Sequence, residues 1–193
     1  MNRNSSTIQA QSLKDASKDL ILHTSMELFA SKGYHKTSVL SIAKEIGISS
    51  GLIFYHYETK DNLLKEVIIS LLNKMDAIFE VEEDVAADKK LGQIIDRFKE
   101  SLLQNKSDWE LYMAIIYQPD TKALIEPLVT QSTRKIRRII YEIYKLSGHP
   151  KPDEVSLKFE LFRIGVFSSF LYTGNTLQLE KSIVLFKNQF IIN

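Results

Sequence analysis

A short stretch of the chain around position 50 concentrates groups that donate hydrogen bonds to anionic oxygens. It begins with Ser49, Ser50 and Gly51, so hydroxyls and free backbone N–H groups would meet at the start of a helix. Such helix starts bind phosphate, because their N–H groups point outward along a favourable dipole. Tyr55 and His56 follow one turn later, and the small Gly51 permits close approach of another backbone. This combination predicts contact with nucleic-acid phosphates.

The residues just before this stretch predict a second short helix that positions it. Ile42 and Ala43 lie three and four residues after Val39, which places all three apolar side chains on one face of a helix. Gly47 lies where the chain must turn sharply. Two short helices joined in this way form a helix-turn-helix. The spacing alone fits an ordinary helical hairpin equally well. The donors of the second helix, with Lys60 shortly after it, favour the DNA-binding interpretation.

The whole chain shows apolar residues at intervals of three and four, which predicts an all-α protein. Helices are predicted at about 15–31, 38–46, 49–56, 60–79, 88–104, 107–118, 121–147, 154–173 and 177–191. The polar residues 1–16 are predicted to form a flexible N-terminal arm, and 17–60 a three-helix head. Residues 61–193 are predicted to form a separate helical domain.

The composition excludes several classes of protein. The 193 residues carry a net charge of +1 and contain no cysteine, which excludes disulfides, thiolate metal sites and a cysteine nucleophile. We find no Gly-rich phosphate loop, no His-Glu-x-x-His and no nucleophile elbow, and we therefore expect no enzyme, cofactor or metal. The N-terminus lacks a signal peptide's apolar core, and no apolar run approaches the ~20 residues that span a bilayer. A cytoplasmic protein without membrane contact is expected.

Residues 18–68 resemble the DNA-binding segment of the TetR (tetracycline-repressor) family. The matching residues are Leu28-Phe29, Gly33-Tyr34, Thr37-Ser38-Val39, Ile42-Ala43, Gly47-Ile48-Ser49, Gly51, Tyr55-His56-Tyr57, Lys60 and Leu63-Leu64. The resemblance covers about a quarter of the chain without gaps. It implies a ligand-responsive repressor that binds palindromic double-stranded operator DNA as a homodimer and is released by a small-molecule effector. The alternative is a helical adaptor that binds protein instead of DNA.

Carried over to this sequence, the resemblance assigns individual roles in DNA binding. Thr37 and Ser38 would hold backbone phosphates at the start of the second helix. The residues that face the major groove of the DNA would be Ser49, Ser50, Gly51, Leu52 and Phe54. The residues that bind backbone phosphates at the other end of this helix would be Tyr55, His56 and Lys60. The chain departs from the family pattern at Leu40, Ser50 and Phe54, where polar or basic residues are common. These departures predict apolar contact with thymine methyl groups.

The C-terminal part is predicted to hold a dimer interface. Helix 154–173 has no charged residue from Ile164 on, so it must be covered on several sides. Gly165 and Ser169 make a smooth stripe that permits a close neighbour. The predicted interface comprises Gly165, Ser169, Tyr172, Ile183, Phe186 and Phe190. The alternative is a monomer whose last helix completes its own core.

An effector site is predicted among aromatic residues of the middle helices. The candidates are Phe98, Trp109, Tyr112, Met113, Ile116, Tyr117 and Phe162, which could line an apolar cavity with a few polar tips. Each of these residues, taken alone, fits an ordinary core position better. The basic cluster Arg134-Lys135-Arg137-Arg138 is interpreted as a solvated face, with an anionic effector as the alternative.

Overall fold

Helices account for all the regular structure in the described part of the chain. A computed structural model of the protein describes residues 3–82 and 84–191, with side chains from residue 18 on. The helices are α1 Arg3–Lys32, α2 Val39–Ile46, α3 Ser50–Tyr57, α4 Lys60–Ile78, α5 Ala87–Gln104, α6 Lys106–Ile116, α7 Lys122–Leu146, α8 Pro152–Thr173 and α9 Thr176–Phe190. Apart from the start of α1, every boundary lies within two residues of the prediction. The all-α fold is confirmed.

The N-terminus differs from the predicted flexible arm. The first helix begins at Arg3, whereas the sequence analysis placed its start at about residue 15. The segment from Arg3 to Lys14 contains neither proline nor glycine, so nothing in it interrupts a helix that already exists further on. Residues 1 and 2 of the predicted arm lie outside the described residues.

The chain divides into two compact units. The head unit comprises the residues up to Ser70 together with Leu111–Leu128, and the body unit comprises Leu71–Glu110 and the residues from Val129 on. The predicted domain boundary at residues 60 and 61 therefore falls inside the head unit. Residues 111–128, predicted to belong to the second domain, are grouped with the head.

The head unit is built around α2, which packs against both α1 and α3. Phe29 of α1, Ile42 of α2 and Ile53 of α3 are almost completely buried. Leu63 and Leu64 at the start of α4 are buried as well. Burying side chains of this size stabilises the fold by roughly 1.5–3 kcal/mol each, which lets such short helices persist.

The body unit has a core rich in phenylalanine. The helices α5 and α8 both pack against α9. Phe186 of α9 lies at the centre, with ring centroids 4.7 Å from Phe159 and 6.3 Å from Phe98. The Tyr144 hydroxyl donates a hydrogen bond to the carbonyl of Phe190 and ties α7 to the end of α9. In the part of the chain that the structure describes, no helix combines the length and apolar character needed to cross a lipid bilayer.

Candidate nucleic-acid interface

The second helix of the head starts at a reciprocal hydrogen-bonded cap. The Ser38 hydroxyl accepts a hydrogen bond from the Ser41 backbone N–H at 3.0 Å, and the Ser41 hydroxyl accepts one from the Ser38 N–H at 3.1 Å. This capping box satisfies two backbone donors at the helix start. Val39, Ile42 and Ala43 then face the core. Ser38 and Leu40 remain exposed, so the start of α2 presents its outer side to solvent.

A single glycine makes the turn between α2 and α3. Gly47 has φ +79° and ψ +30°, the left-handed conformation that non-glycine residues adopt at a cost of roughly 1–2 kcal/mol. Its N–H and that of Ile48 both bond to the carbonyl of Ala43 at 3.0 Å. These bonds close α2 within one residue and direct the chain into α3.

The third helix separates its residues into an inner and an outer face. Ser49 caps its start by accepting a hydrogen bond from the Leu52 N–H at 3.3 Å. Ile53 and Tyr57 are buried and anchor the helix to the head. Phe54 and Tyr55 are exposed, Tyr55 by 73% of its surface. Two aromatic rings held in water on an eight-residue helix indicate a surface that binds a partner.

The position of Gly51 suits close approach of a ligand. It lies exposed in the first turn of α3, and an added Cβ would contact only the Ser49 hydroxyl, at 3.9 Å. His56 is half-buried, and its ring lies 5.2 Å from that of Tyr55. The predicted groove-facing residues Ser50 and Leu52 are half-buried on the same helix.

The helix α3 ends in a strained turn. Glu58 has φ +61° and ψ −46°, and the Thr59 N–H bonds back to the Tyr57 carbonyl at 2.6 Å. This geometry is that of a γ-turn of the rare type, which costs on the order of 1–3 kcal/mol. The turn lets α4 begin at Lys60, only three residues after α3 ends. The buried Tyr57 and Leu63 on either side offset its cost.

Thr37 and Lys60, both predicted to contact phosphates, bind the head's own backbone. Thr37 is 1% exposed, and its hydroxyl is 2.9 Å from the Gly33 carbonyl and 3.1 Å from the Leu28 carbonyl. The Lys60 ammonium donates to the carbonyls of Tyr34 and Thr37 at 3.1 and 3.2 Å. It also lies 4.2 Å from the centre of the Tyr34 ring. The loop after α1 has carbonyls without helical partners, and these two side chains satisfy them.

A substitution at Lys60 tests this internal role. Lys60→Ala is expected to lower the free energy of unfolding by about 1 to 2 kcal/mol, because two loop carbonyls lose a partly exposed charged donor. Lys36→Ala, an exposed lysine in the same loop, should change it by less than about 0.5 kcal/mol. Urea denaturation followed by circular dichroism measures both values. Equal stability of the two variants would show that Lys60 does not hold the loop.

Two buried tyrosines of the head have raised pKa values. Burial, together with the hydrogen bond that Tyr34 donates to Asp61 and the charge of that carboxylate, raises the pKa of Tyr34 well above its usual range. Burial raises the pKa of Tyr57 to about 12, and the charges of Glu66 and Asp19 add to the effect. Both phenols therefore stay neutral at physiological pH and act as core residues.

Gln118 is a structural residue that the sequence analysis missed. Its side-chain oxygen accepts a hydrogen bond from the Tyr34 N–H at 2.8 Å, and its side-chain nitrogen donates to the Phe29 carbonyl at 2.9 Å. A single amide thus joins residues 111–128 to the end of α1. The contact spans more than 80 positions of sequence, so no local pattern could have indicated it.

The residues predicted for the dimer interface separate into two groups. Gly165 and Tyr172 are exposed on α8, Ser169 is half-buried, and an added Cβ at Gly165 would meet open space. Ile183, Phe186 and Phe190 are instead buried inside the chain's own core. Other apolar residues of α8 and α9 are exposed in their place. These are Leu157, Leu161, Ile164, Leu177, Val184 and Leu185.

The residues predicted for an effector cavity are divided between the two units. Phe98 and Trp109 are buried in the body unit, where Trp109 donates to the Ser101 carbonyl and packs 5.8 Å from Phe167. Phe162 lies 4.9 Å from Phe186 in the aromatic core. The four others belong to the head unit. Of these Tyr112 is buried, Met113 and Ile116 are half-buried, and Tyr117 is 72% exposed.

Comparison with known proteins gives the same picture for the head. A sequence profile described as bacterial regulatory proteins, tetR family, matches residues 21–67. The fatty acid metabolism regulator protein of Bacillus subtilis (strain 168) is 28% identical over 129 residues, which are 65% of this chain and 59% of that protein. The uncharacterized HTH-type transcriptional regulator YerO of the same strain is 42% identical over 73 residues, 36% of this chain and 24% of its own length.

Similarity to a solved structure extends beyond the head to most of the chain. A crystal structure of a transcriptional regulator from Rhodococcus sp. Rha1 superposes with a TM-score of 0.73 at 18% identity, covering 90% of this chain and 95% of that one. This second likeness is one of fold: an all-helical chain with a helix-turn-helix near its amino end. The head of the chain is similar to the DNA-binding segment of bacterial regulatory proteins of the tetR family. The chain spans about a quarter and about three fifths of the two curated relatives described above.

Within residues 18–82 and 84–191, no three His, Asp or Glu side chains are grouped closely enough to hold a metal ion. The polar groups of α3 and its cap Ser49 are hydroxyls, one imidazole and backbone N–H groups, which suit phosphate oxygens better than cations.

Proposed function

We propose that this chain is a homodimeric, ligand-responsive repressor that binds palindromic operator DNA through α3. The observation that carries the proposal is the outer face of that helix. Phe54 and Tyr55 stand exposed beside Gly51, while Ile53 and Tyr57 hold the helix rigidly from beneath. A short rigid helix with an unobstructed outer face fits the major groove of B-DNA.

The two helix starts of the head are suited to phosphate binding. The Ser38 and Ser49 hydroxyls each accept a hydrogen bond from a backbone N–H. Each hydroxyl hydrogen can therefore be donated to another acceptor. The positive ends of the α2 and α3 dipoles add to the attraction for an anion. Tyr55 and His56 would contact phosphates from the other end of α3. Phe54 and the exposed Leu40 would meet thymine methyl groups.

A second copy of the chain is the proposed occupant of the apolar face on α8 and α9. Leu157, Leu161 and Ile164 follow one another at four and three residues and lie exposed on α8, and Val184 and Leu185 lie exposed on α9. Exposed apolar side chains in such a stripe mark a protein interface. A two-fold dimer presents two recognition helices, and roughly 34–36 Å between them matches successive turns of the major groove.

Release by a small molecule is the part of the proposal that rests on the resemblance to the TetR family. An effector that binds one conformation of the dimer better would shift the population away from the DNA-binding one. Phe98, Trp109 and Phe162, the predicted effector residues that belong to the body unit, remain the candidates for its site.

Selection of DNA by the purified protein tests the proposal against the helical adaptor. Genomic fragments retained by the full chain should share an inverted repeat when they are sequenced. Their affinity should fall linearly with the logarithm of salt concentration, because phosphate contacts release bound counterions. An adaptor would retain no common sequence and would bind duplex DNA no better than an unrelated acidic polymer. That outcome would refute DNA binding.

A further inference from the structure

The body unit contains a cationic groove along α7 that the proposed DNA-binding function does not use. Its volume is about 420 Å³, and it extends to the first turns of α8. Cavities of roughly 300–1,000 Å³ hold small-molecule ligands. Its charged lining residues are Arg134, Arg137, Arg138, Glu142 and Asp153.

The three arginines present their charge to the groove and not to a carboxylate. They lie at positions i, i+3 and i+4 of α7, which places them on one face of the helix. None of them forms a salt bridge with the described residues. Lys135, on the adjoining face, is by contrast paired with Asp76 at 2.7 Å. The basic cluster therefore contains one structural cation and three that converge on a cavity.

The two carboxylates lie toward one end of the groove. Glu142 is eight residues beyond Arg134, about 12 Å along the helix. Asp153 lies in the first turn of α8, and its backbone carbonyl accepts a hydrogen bond from the Ser156 hydroxyl at 3.0 Å. Three arginines against two carboxylates leave one net positive charge, which is concentrated at the Arg134 end.

We propose that this groove binds a small phosphorylated molecule whose phosphoryl group lies against Arg134, Arg137 and Arg138. A phosphoryl group offers three strong acceptor oxygens, and guanidinium forks match them with paired hydrogen bonds. A long polyanion such as nucleic acid or an acidic peptide would extend its charge to Glu142 and Asp153 and be repelled. The charge distribution therefore favours a compact anion. The site is separate from the DNA-binding head, and its test needs no DNA.

Calorimetry with inorganic pyrophosphate tests the site on the full chain. Pyrophosphate is expected to bind at constant ionic strength, and succinate, whose two charges are separated, about tenfold or more weakly. Arg137→Gln should weaken pyrophosphate binding at least about tenfold, because the guanidinium and its paired N–H donors are lost. The exposed pair Arg134→Gln and Arg138→Gln, on the rim of the groove, gives a second test that leaves the half-buried Arg137 in place. Glu142→Gln with Asp153→Asn should tighten binding several-fold.

Arg97→Gln is the matched control. Arg97 lies on α5 outside the groove, and its Nε donates a hydrogen bond to the Gln93 carbonyl of its own helix at 3.3 Å. This variant should bind pyrophosphate as the unmodified chain does. The proposal is overturned if pyrophosphate produces no binding heat, or if Arg97→Gln weakens binding as much as Arg137→Gln. Tighter binding of a glutamate decamer than of pyrophosphate, lost in Arg137→Gln, would overturn it in favour of a protein partner.

Discussion

Replacing Tyr55 and His56 together with alanine is expected to abolish retention of operator DNA while the fold and the dimer remain intact. In the proposed complex each side chain would donate one hydrogen bond to a phosphate, and a dimer would make each contact twice. Hydrogen bonds to charged groups contribute about 1.5–3 kcal/mol, so the affinity should fall at least about 100-fold. Tyr55 is exposed, and alanine favours the helix more than either residue it replaces, so unfolding should change little.

The chain offers a close control for this double variant. Tyr117 is 72% exposed against 73% for Tyr55, and His23 is an exposed histidine on α1 whose neighbour is Glu27. Alanine at Tyr117 and His23 removes the same two side-chain types from other surfaces and should leave the affinity unchanged. Titration of fluorescent operator fragments measures both variants. Equal affinity of the two would refute the assignment of the DNA-binding surface to α3.

Introducing glutamate at Leu161 and Val184 is expected to convert the dimer to monomers. Both side chains are exposed in the single chain, by 60% and 57%, and would be covered by the second copy. Burying an unpaired carboxylate costs several kcal/mol, and the two-fold axis doubles the number buried. The dimer dissociation constant should therefore rise at least about 1,000-fold. Operator affinity should fall with it, because a monomer inserts only one recognition helix.

Leu146→Glu is the control for dimer formation. Leu146 is 81% exposed at the end of α7, outside the face formed by α8 and α9, so a charge there stays in water. Sedimentation velocity at micromolar concentration should show dimers for this variant and monomers for the Leu161 and Val184 variant. If both remained dimers, the interface would have to lie elsewhere on the chain.

The helix-turn-helix was predictable because its determinants are local. The apolar face of α2, the glycine at position 47 and the serine caps at positions 38 and 49 all act within a few residues. Helical periodicity, the left-handed turn and capping are short-range effects, so each leaves a mark in neighbouring residues. The same local rules located the boundaries of the remaining helices from α2 to α9 within two residues.

The partners of polar side chains at the edge of the head could not be predicted from neighbouring residues. The types of Thr37 and Lys60 suit a phosphate contact as well as a loop carbonyl, and spacing cannot distinguish them. Their partners were decided by how the loop after α1 folds back over the start of α4. Gln118 shows the same limit, because its two partners are more than 80 positions away.

The amino-acid sequence alone determined that the chain is helical, where the helices from α2 on begin and end, and that α3 follows α2 through a tight turn. Only the tertiary structure decided which face of each helix is covered. On α9 it buried Ile183, Phe186 and Phe190 in the core and left Val184 and Leu185 in water, although all five are apolar. Helical periodicity depends on the backbone of one segment, whereas burial depends on which other segments arrive beside it. Periodicity can therefore be predicted from neighbouring residues, whereas burial follows from the packing of the whole chain.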